Sequence, residues 1–229
     1  MTTASQQLHE ELLSCSSNLS YEKVKLLLKD DADPCFQFGA TKSSALFLCI
    51  ERNDETLLNL LLRHAHRKNL GITDADGVNA LMLAAKLGYL GCLNLLLSSG
   101  FTTPELINKR SSPRGLEVTA LMLAFMEGHV DIARVLLQNG ADPTLHDSRG
   151  RSPAHIAAIR GQLDLLQELK QYGMEFGQVV DGLGNTPMHF CTHPHILEFL
   201  YEEGLSPSTR WVWLCVLCDV PHACNSAAA

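Results

Sequence analysis

The residues of this sequence best suited to chemistry crowd its C-terminal end. The run HFCTHPH holds His189, Cys191, His193 and His195, and CVLCDVPHAC holds Cys215, Cys218, His222 and Cys224. A Cys-x2-Cys pair followed by His and Cys has zinc-like chemistry, because thiolate and imidazole suit a tetrahedral site. Against a metal, Cys218 to Cys224 makes a tight loop, and His189 and Cys191 also fit positions of a longer repeating pattern. We therefore assign no metal ligands and no cofactor, and keep a small zinc- or redox-linked regulatory protein as the alternative. Ten histidines also invite a search for catalysis. No Ser–His–Asp set stands in a strand–turn context and no glycine-rich loop follows a strand, so no catalytic residue is assigned.

The totals narrow the classes further. With 229 residues and 46% hydrophobic content the chain can bury a substantial core. A net charge of −7 argues against general nucleic-acid binding, which needs many cations to replace phosphate counterions. The start, MTTASQQLHEELL, has acids where a signal peptide has a basic region and an apolar core. The apolar run WVWLCVLCDV, Trp211 to Val220, is about half of what spans a bilayer. Cys49, Cys92 and Cys191 sit in apolar helical patterns, where buried thiols in a reducing compartment fit better than disulfides. The expectation is an intracellular protein of cytoplasm or nucleus, monomeric, with no nucleic acid or membrane as partner.

What must position any functional residue is an internal repeat, the feature to look for before any other fold assignment. Ser44, Asn79, Thr119, Ser152 and Thr186 open similar segments at gaps of 35, 40, 33 and 34 residues. A second landmark, a small residue closing each leucine-rich stretch, falls at Ala65, Gly100, Gly140, Gly173 and Gly204. In the first four copies the two landmarks lie 21 residues apart. Each unit reads as two short helices. The Ser, Thr or Asn caps the first, and Pro153 and Pro187 take the first helical position, where a missing N–H costs nothing. Gly88, Gly128 and Gly161 then stop that helix in a left-handed conformation. The second helix carries CLNLLL, IARVLL or LLQEL, apolar at helical spacing. Asp74–Gly77, Asp147–Gly150 and Asp181–Gly184 have the Asp-first, Gly-last composition of a hairpin tip. Repetition has an energetic reason. Ordering one such unit costs about 50 kcal/mol, which takes burial of about 2,000 Å² of apolar surface to offset. A lone helix pair cannot bury that much, so about three or more must stack.

The segments RSPAHIAAIRGQLDLLQEL (151–169), NTPMHF (185–190) and GHVDIARVLLQNGADP (128–143) resemble the ankyrin repeat, a hairpin turn followed by TPLHxAAxxGH and LLLxxGADP. The resemblance runs over roughly residues 5 to 208. It implies an all-α ankyrin-repeat solenoid of stacked helix-turn-helix units with hairpin-like connections. The expected division is a degenerate N-terminal capping repeat (1–36), then repeats at about 37–70, 71–110, 111–146, 147–180 and 181–208, and an atypical tail (209–229). Phe47, Met82 and Met122 stand where the family has histidine, so its hydrogen bonds between repeats are expected only at His155 and His189. The last copy is three residues short through CTHPHIL. The tail is either a cap in which Trp211, Trp213, Leu214 and Val216 cover the last repeat, or a foreign ending on a shortened array.

The resemblance further implies a non-enzymatic interaction module, an adaptor or scaffold, that grips a partner protein on a concave face of hairpins and first helices. By register the candidate contacts are Asp76, Val78, Lys86, Leu87, Leu116, Met126, Glu127, Arg149, Arg151, Ile159, Arg160 and Leu183. Met126 and Ile159 occupy equivalent positions, where an exposed apolar pair rimmed by charge is typical of a contact patch. Cations in successive connections, Arg63, Arg67, Lys68, Lys109, Arg110, Arg114, Arg149 and Arg151, would align along one edge and steer an acidic segment of the partner inward. The long connection 101–118 holds TPEL, with a cap and a proline where an extra helical turn would start.

Overall fold

The computed structural model describes residues 3–14, 21–65, 71–100, 102–112 and 115–205. Helices come in antiparallel pairs: α1 (Ala4–Ser14) with α2 (Tyr21–Lys29), α3 (Ala45–Glu51) with α4 (Glu55–His64), and α5 (Ala80–Leu87) with α6 (Leu90–Ser98). A short α7 (Pro104–Ile107) intervenes. Then follow α8 (Ala120–Glu127) with α9 (Val130–Gln138), α10 (Pro153–Arg160) with α11 (Leu163–Gln171), and a 3-10 turn (Pro187–Phe190) with α12 (Pro194–Glu202). First helices pack on first helices and second on second, so the pairs stack into two layers. Among the described residues there is no β-strand longer than one bridge, Phe38 to Ser43.

The two layers are buried differently, as their positions require. An inner helix has a neighbour on each side and its own partner behind it. Ala120 to Phe125 of α8 are therefore all buried, as are Pro153 to Ala158 of α10. An outer helix is covered on one face only: α9 buries Ile132, Ala133, Leu136 and Leu137 and leaves Asp131 and Gln138 to solvent. One contiguous core runs the length of the stack, from Leu8 and Leu12 to Leu200 and Leu205. This is the mutual shielding that a lone pair cannot supply.

The landmarks serve as local structure. Asn79 accepts from the Met82 N–H at 2.8 Å, Thr119 from Met122 at 3.3 Å and Ser44 from Phe47 at 3.4 Å. Gly88, Gly128 and Gly161 close their helices with φ of 79°, 81° and 70°. TPEL becomes α7, with Pro104 at its start and the Thr103 hydroxyl accepting from Leu106. The last copy departs from expectation. Thr186 opens a single 3-10 turn instead of a helix, because Cys191 is already extended and Pro194 starts α12. Three missing residues leave no room for the second helical turn.

Candidate partner-binding face

Each hairpin is built around one side chain. The Asp74 carboxylate accepts from the N–H groups of Asp76 (2.9 Å) and Val78 (2.8 Å). Asp147 does the same for Arg149 and Arg151, and Asp181 for Leu183 and Asn185, again at 2.8–2.9 Å. In the long connection Ser111 takes the Asp position and accepts from Val118 at 3.1 Å. The side chain closes the turn by occupying backbone donors that would otherwise compete for other partners.

Successive hairpins are then joined by backbone hydrogen bonds. The Ala75 N–H donates to the Thr41 carbonyl (3.1 Å), Ser112 to Asp76 (2.9 Å), Ser148 to Leu116 (2.9 Å) and Gly182 to Arg149 (3.3 Å). The carbonyl of each tip residue thus receives the next hairpin, and the side chains of Asp76, Leu116, Arg149 and Leu183 form one row. All four are exposed. Beside it run the C-terminal ends of the first helices. There Lys86, Leu87, Glu127, Ile159 and Arg160 are exposed, while Met126 is half-buried and packs against the core. Leu87 and Ile159 are each 36% exposed and Leu116 39%, so bulky aliphatic surface recurs along the row.

Other sequence candidates have different work. Val78 is half-buried against the core. Arg151 is committed to its own hairpin, donating to Asp147 Oδ2 from Nε (2.9 Å) and a terminal nitrogen (2.7 Å). The expected basic edge is interrupted for the same reason. Arg110 pairs with Glu117 at 3.7 Å and Lys109 donates to the Gly71 carbonyl. Arg67, Lys68 and Arg114 lie outside the described residues. Among the described residues Lys86, Arg149 and Arg160 carry no ion pair and remain available.

The C-terminal His/Cys run is held as architecture. Burial pushes the Cys191 thiol up to about 12, and its Sγ lies 3.6 Å from the Pro187 carbonyl. His189 Nδ1 accepts from the Thr186 N–H (3.0 Å) and faces its hydroxyl (2.9 Å). His193 packs on Gly161, where a Cβ would stand 2.6 Å from its ring. Among the described residues no three His, Cys, Asp or Glu side chains converge as a metal site. Cys215, Cys218, His222 and Cys224 lie outside the described residues, as do Trp211, Trp213, Leu214 and Val216.

His155 meets the expectation of a bridge between repeats. Its Nδ1 accepts from the Ser152 N–H at 3.2 Å and contacts the hydroxyl at 3.0 Å, while Nε2–H donates to the Asn185 carbonyl of the next pair at 2.9 Å. Burial lowers its pKa below the ordinary 6.5, against the opposing pull of that carbonyl and of Asp181. The sequence reading passed over an aromatic group at the N-terminal end of the row. His9 stacks on Phe38 at 5.3 Å, and Phe36, 40% exposed, tilts against Phe38. Nothing repeats there, so periodicity gave no signal.

With the geometry in place, three comparisons agree on its kinship. The profile of the family described as Ankyrin repeats (3 copies) matches residues 12–105 and 121–210. The chain is 32% identical over 171 residues to the Nuclear factor NF-kappa-B p105 subunit of Gallus gallus, covering 73% of this chain and 16% of that protein. It is 39% identical over 85 residues to Ankyrin repeat domain-containing protein 46 of Rattus norvegicus, covering 37% of each. It therefore spans well under two thirds of these relatives' lengths. The ankyrin repeat domain of Bcl-3, a member of the IkappaB protein family, superimposes with a TM-score of 0.74 at 23% identity, over 87% of this chain and 83% of that one. Ankyrin repeats are in general protein–protein interaction modules, and among the described residues no helix is long and apolar enough to cross a membrane. Capped inner helices, left-handed glycines and laddered hairpins, in register with a matched family profile, place this chain in the ankyrin-repeat family.

Proposed function

We propose that the chain is a non-enzymatic adaptor of the cytoplasm or nucleus that grips an extended segment of a partner protein along the hairpin row. The observation that carries this reading is the line of exposed aliphatic side chains, Leu87, Leu116 and Ile159, interleaved with the cations Lys86, Arg149 and Arg160, which carry no ion pair among the described residues. Exposed apolar groups set among cations suit a segment that supplies both aliphatic residues and carboxylates. The face is pre-organised by the hairpin ladder, so little conformational entropy is lost on docking. The chain acts as a monomer, with no cofactor.

The test is crosslinked capture from cells, comparing wild type with Leu116→Asp/Ile159→Glu and with an outer-face control, Asn94→Glu. Met126 is a poorer choice for charge insertion because it packs against the core. The expected result is a partner that the control retains and the double variant loses by at least about tenfold in affinity, a difference of about 1.4 kcal/mol. A partner kept by the double variant and lost by the control would overturn this face.

A further inference from the structure

Charge is spread unevenly along the hairpin row. In the α5 unit Lys86 shares the face with Asp76, and in the α8 unit Glu127 is exposed. In the α10 unit both exposed charges are guanidinium groups, Arg149 at the hairpin tip and Arg160 at the helix end, with exposed Ile159 beside the second. Neither carries an ion pair among the described residues, and the acid of their own hairpin, Asp147, is committed to Arg151. The two cations also stand apart. Arg149 precedes the cap Ser152, and Arg160 ends the eight-residue α10, about 12 Å further along the helix axis. They therefore flank the path of a segment crossing the unit, one on each side.

We propose that the partner segment crosses the α10 unit with two adjacent acidic residues, one carboxylate for Arg149 and one for Arg160, and sets a bulky aliphatic residue on Leu116 about three positions away. This rests on the reading that the row grips an extended segment, and adds which chemistry belongs to which unit. Two lengths set the spacing. Packed helices lie about 8–10 Å apart and an extended chain advances about 3.3 Å per residue, so the segment takes about three residues per unit. Successive side chains of an extended chain point to opposite sides, so neighbouring acids meet cations on the two flanks. Like charge keeps the acids from the rest of the row. Over the α5 and α8 units they would face Asp76 and Glu127, whereas the α10 unit offers two guanidinium groups without an acid of their own. Leu116 is the exposed aliphatic tip of the adjoining unit, and its carbonyl is bonded to the Ser148 N–H of the α10 hairpin.

The probe is a library of random linear peptides displayed on phage and selected on the immobilised full chain. The expected result is enrichment of an adjacent Asp/Glu pair about three positions from a Leu, Ile, Val or Met. Selection on Arg149→Glu/Arg160→Glu should lose the acidic pair and keep the aliphatic residue, while Lys86→Glu keeps both. All three side chains are exposed, and far-UV circular dichroism checks that each variant is folded. One enriched peptide, synthesised, should bind the double arginine variant at least about tenfold more weakly, and bind wild type less well as salt rises. Peptides that Leu116→Asp/Ile159→Glu rejects but that carry no acidic pair would overturn this inference and leave the reading of the row standing. So would an acidic pair that persists on Arg149→Glu/Arg160→Glu or disappears on Lys86→Glu. A selection yielding no peptide that depends on the row overturns both.

Discussion

At position 155 a single imidazole joins two helix pairs, and its chemistry gives the most specific expectations for any residue. Met82 occupies the equivalent position two pairs earlier, and its sulfur stands in for Nδ1 by accepting the Asn79 N–H at 3.5 Å. The thioether fills the space and has no donor for the next hairpin. His155→Met should therefore fold but lose about 0.5–1.5 kcal/mol, because the Asn185 carbonyl gives up the imidazole donor and keeps only the Asp181 N–H. It should also flatten the acid limb of stability. The folded pKa lies below the ordinary 6.5, so His155's contribution is complete above about pH 6.5. It declines as the pH falls and the unfolded chain takes up a proton that the folded ring refuses, and levels off below the folded pKa. Denaturant melts between pH 7 and 5 measure both effects, and a wild-type slope unchanged in His155→Met would refute the assignment. Glycine at position 88 answers two demands. Its φ is 79°, and an added Cβ would lie 2.6 Å from the His129 ring. Gly88→Ala should cost about 1–2 kcal/mol from the left-handed backbone alone, and more from the contact. His129→Ala in the same chain should recover the contact part only. The first demand was legible in the sequence, because a cap and a stop are local. The second was not, because His129 belongs to the next pair.

Among the elements, the hairpins were the least legible. Asp-first, Gly-last composition announces a turn, yet composition does not say that the carboxylate spans it or that turns bond to one another. In the fourth hairpin Arg151 reads as a surface cation suited to a partner, and folding instead commits it to Asp147, whose side chain is fully buried. Asp147→Ala should cost about 3–5 kcal/mol, since it leaves a largely buried guanidinium unpaired. Asp147→Asn keeps the Oδ1 acceptor for both backbone donors and should lose less. Thermal unfolding of the two variants separates the turn-closing role from the ion pair. The inner helices α3, α5, α8 and α10 were read well because apolar spacing and a cap residue agreed in each. The exception is the Pro187–Phe190 turn, where TPMH chemistry is present and the chain is too short to continue it. A motif fixes how an element begins, and the residues available before the next proline fix how far it runs.

For the molecule as a whole, stability is distributed by position in the stack. α5 and α8 are walled on both sides by other inner helices and α10 by α8 and the Pro187–Phe190 turn, whereas α1 and α2 meet neighbours on one side only. Native-state hydrogen exchange should therefore be slowest in the Ala80–Ala85, Ala120–Phe125 and Ala154–Ala158 segments and fastest in α1 and α2. Uniform protection along the array would contradict a stack whose energy lies between neighbours. The all-helical layered fold was legible because its period is written repeatedly in the sequence. The exposure of the row proposed for binding was legible in outline only, since it depends on which charges neighbouring turns consume. The hairpin bonds have one more consequence. Every N–H comes from the later turn and every carbonyl from the earlier, so a cut between any two pairs exposes one donor edge and one acceptor edge. Such edges are complementary to those of any other pair in the array. Pairs could thus be gained, lost or exchanged during evolution without redesigning the joint, and the grip on a partner could lengthen while its chemistry at each step stayed the same.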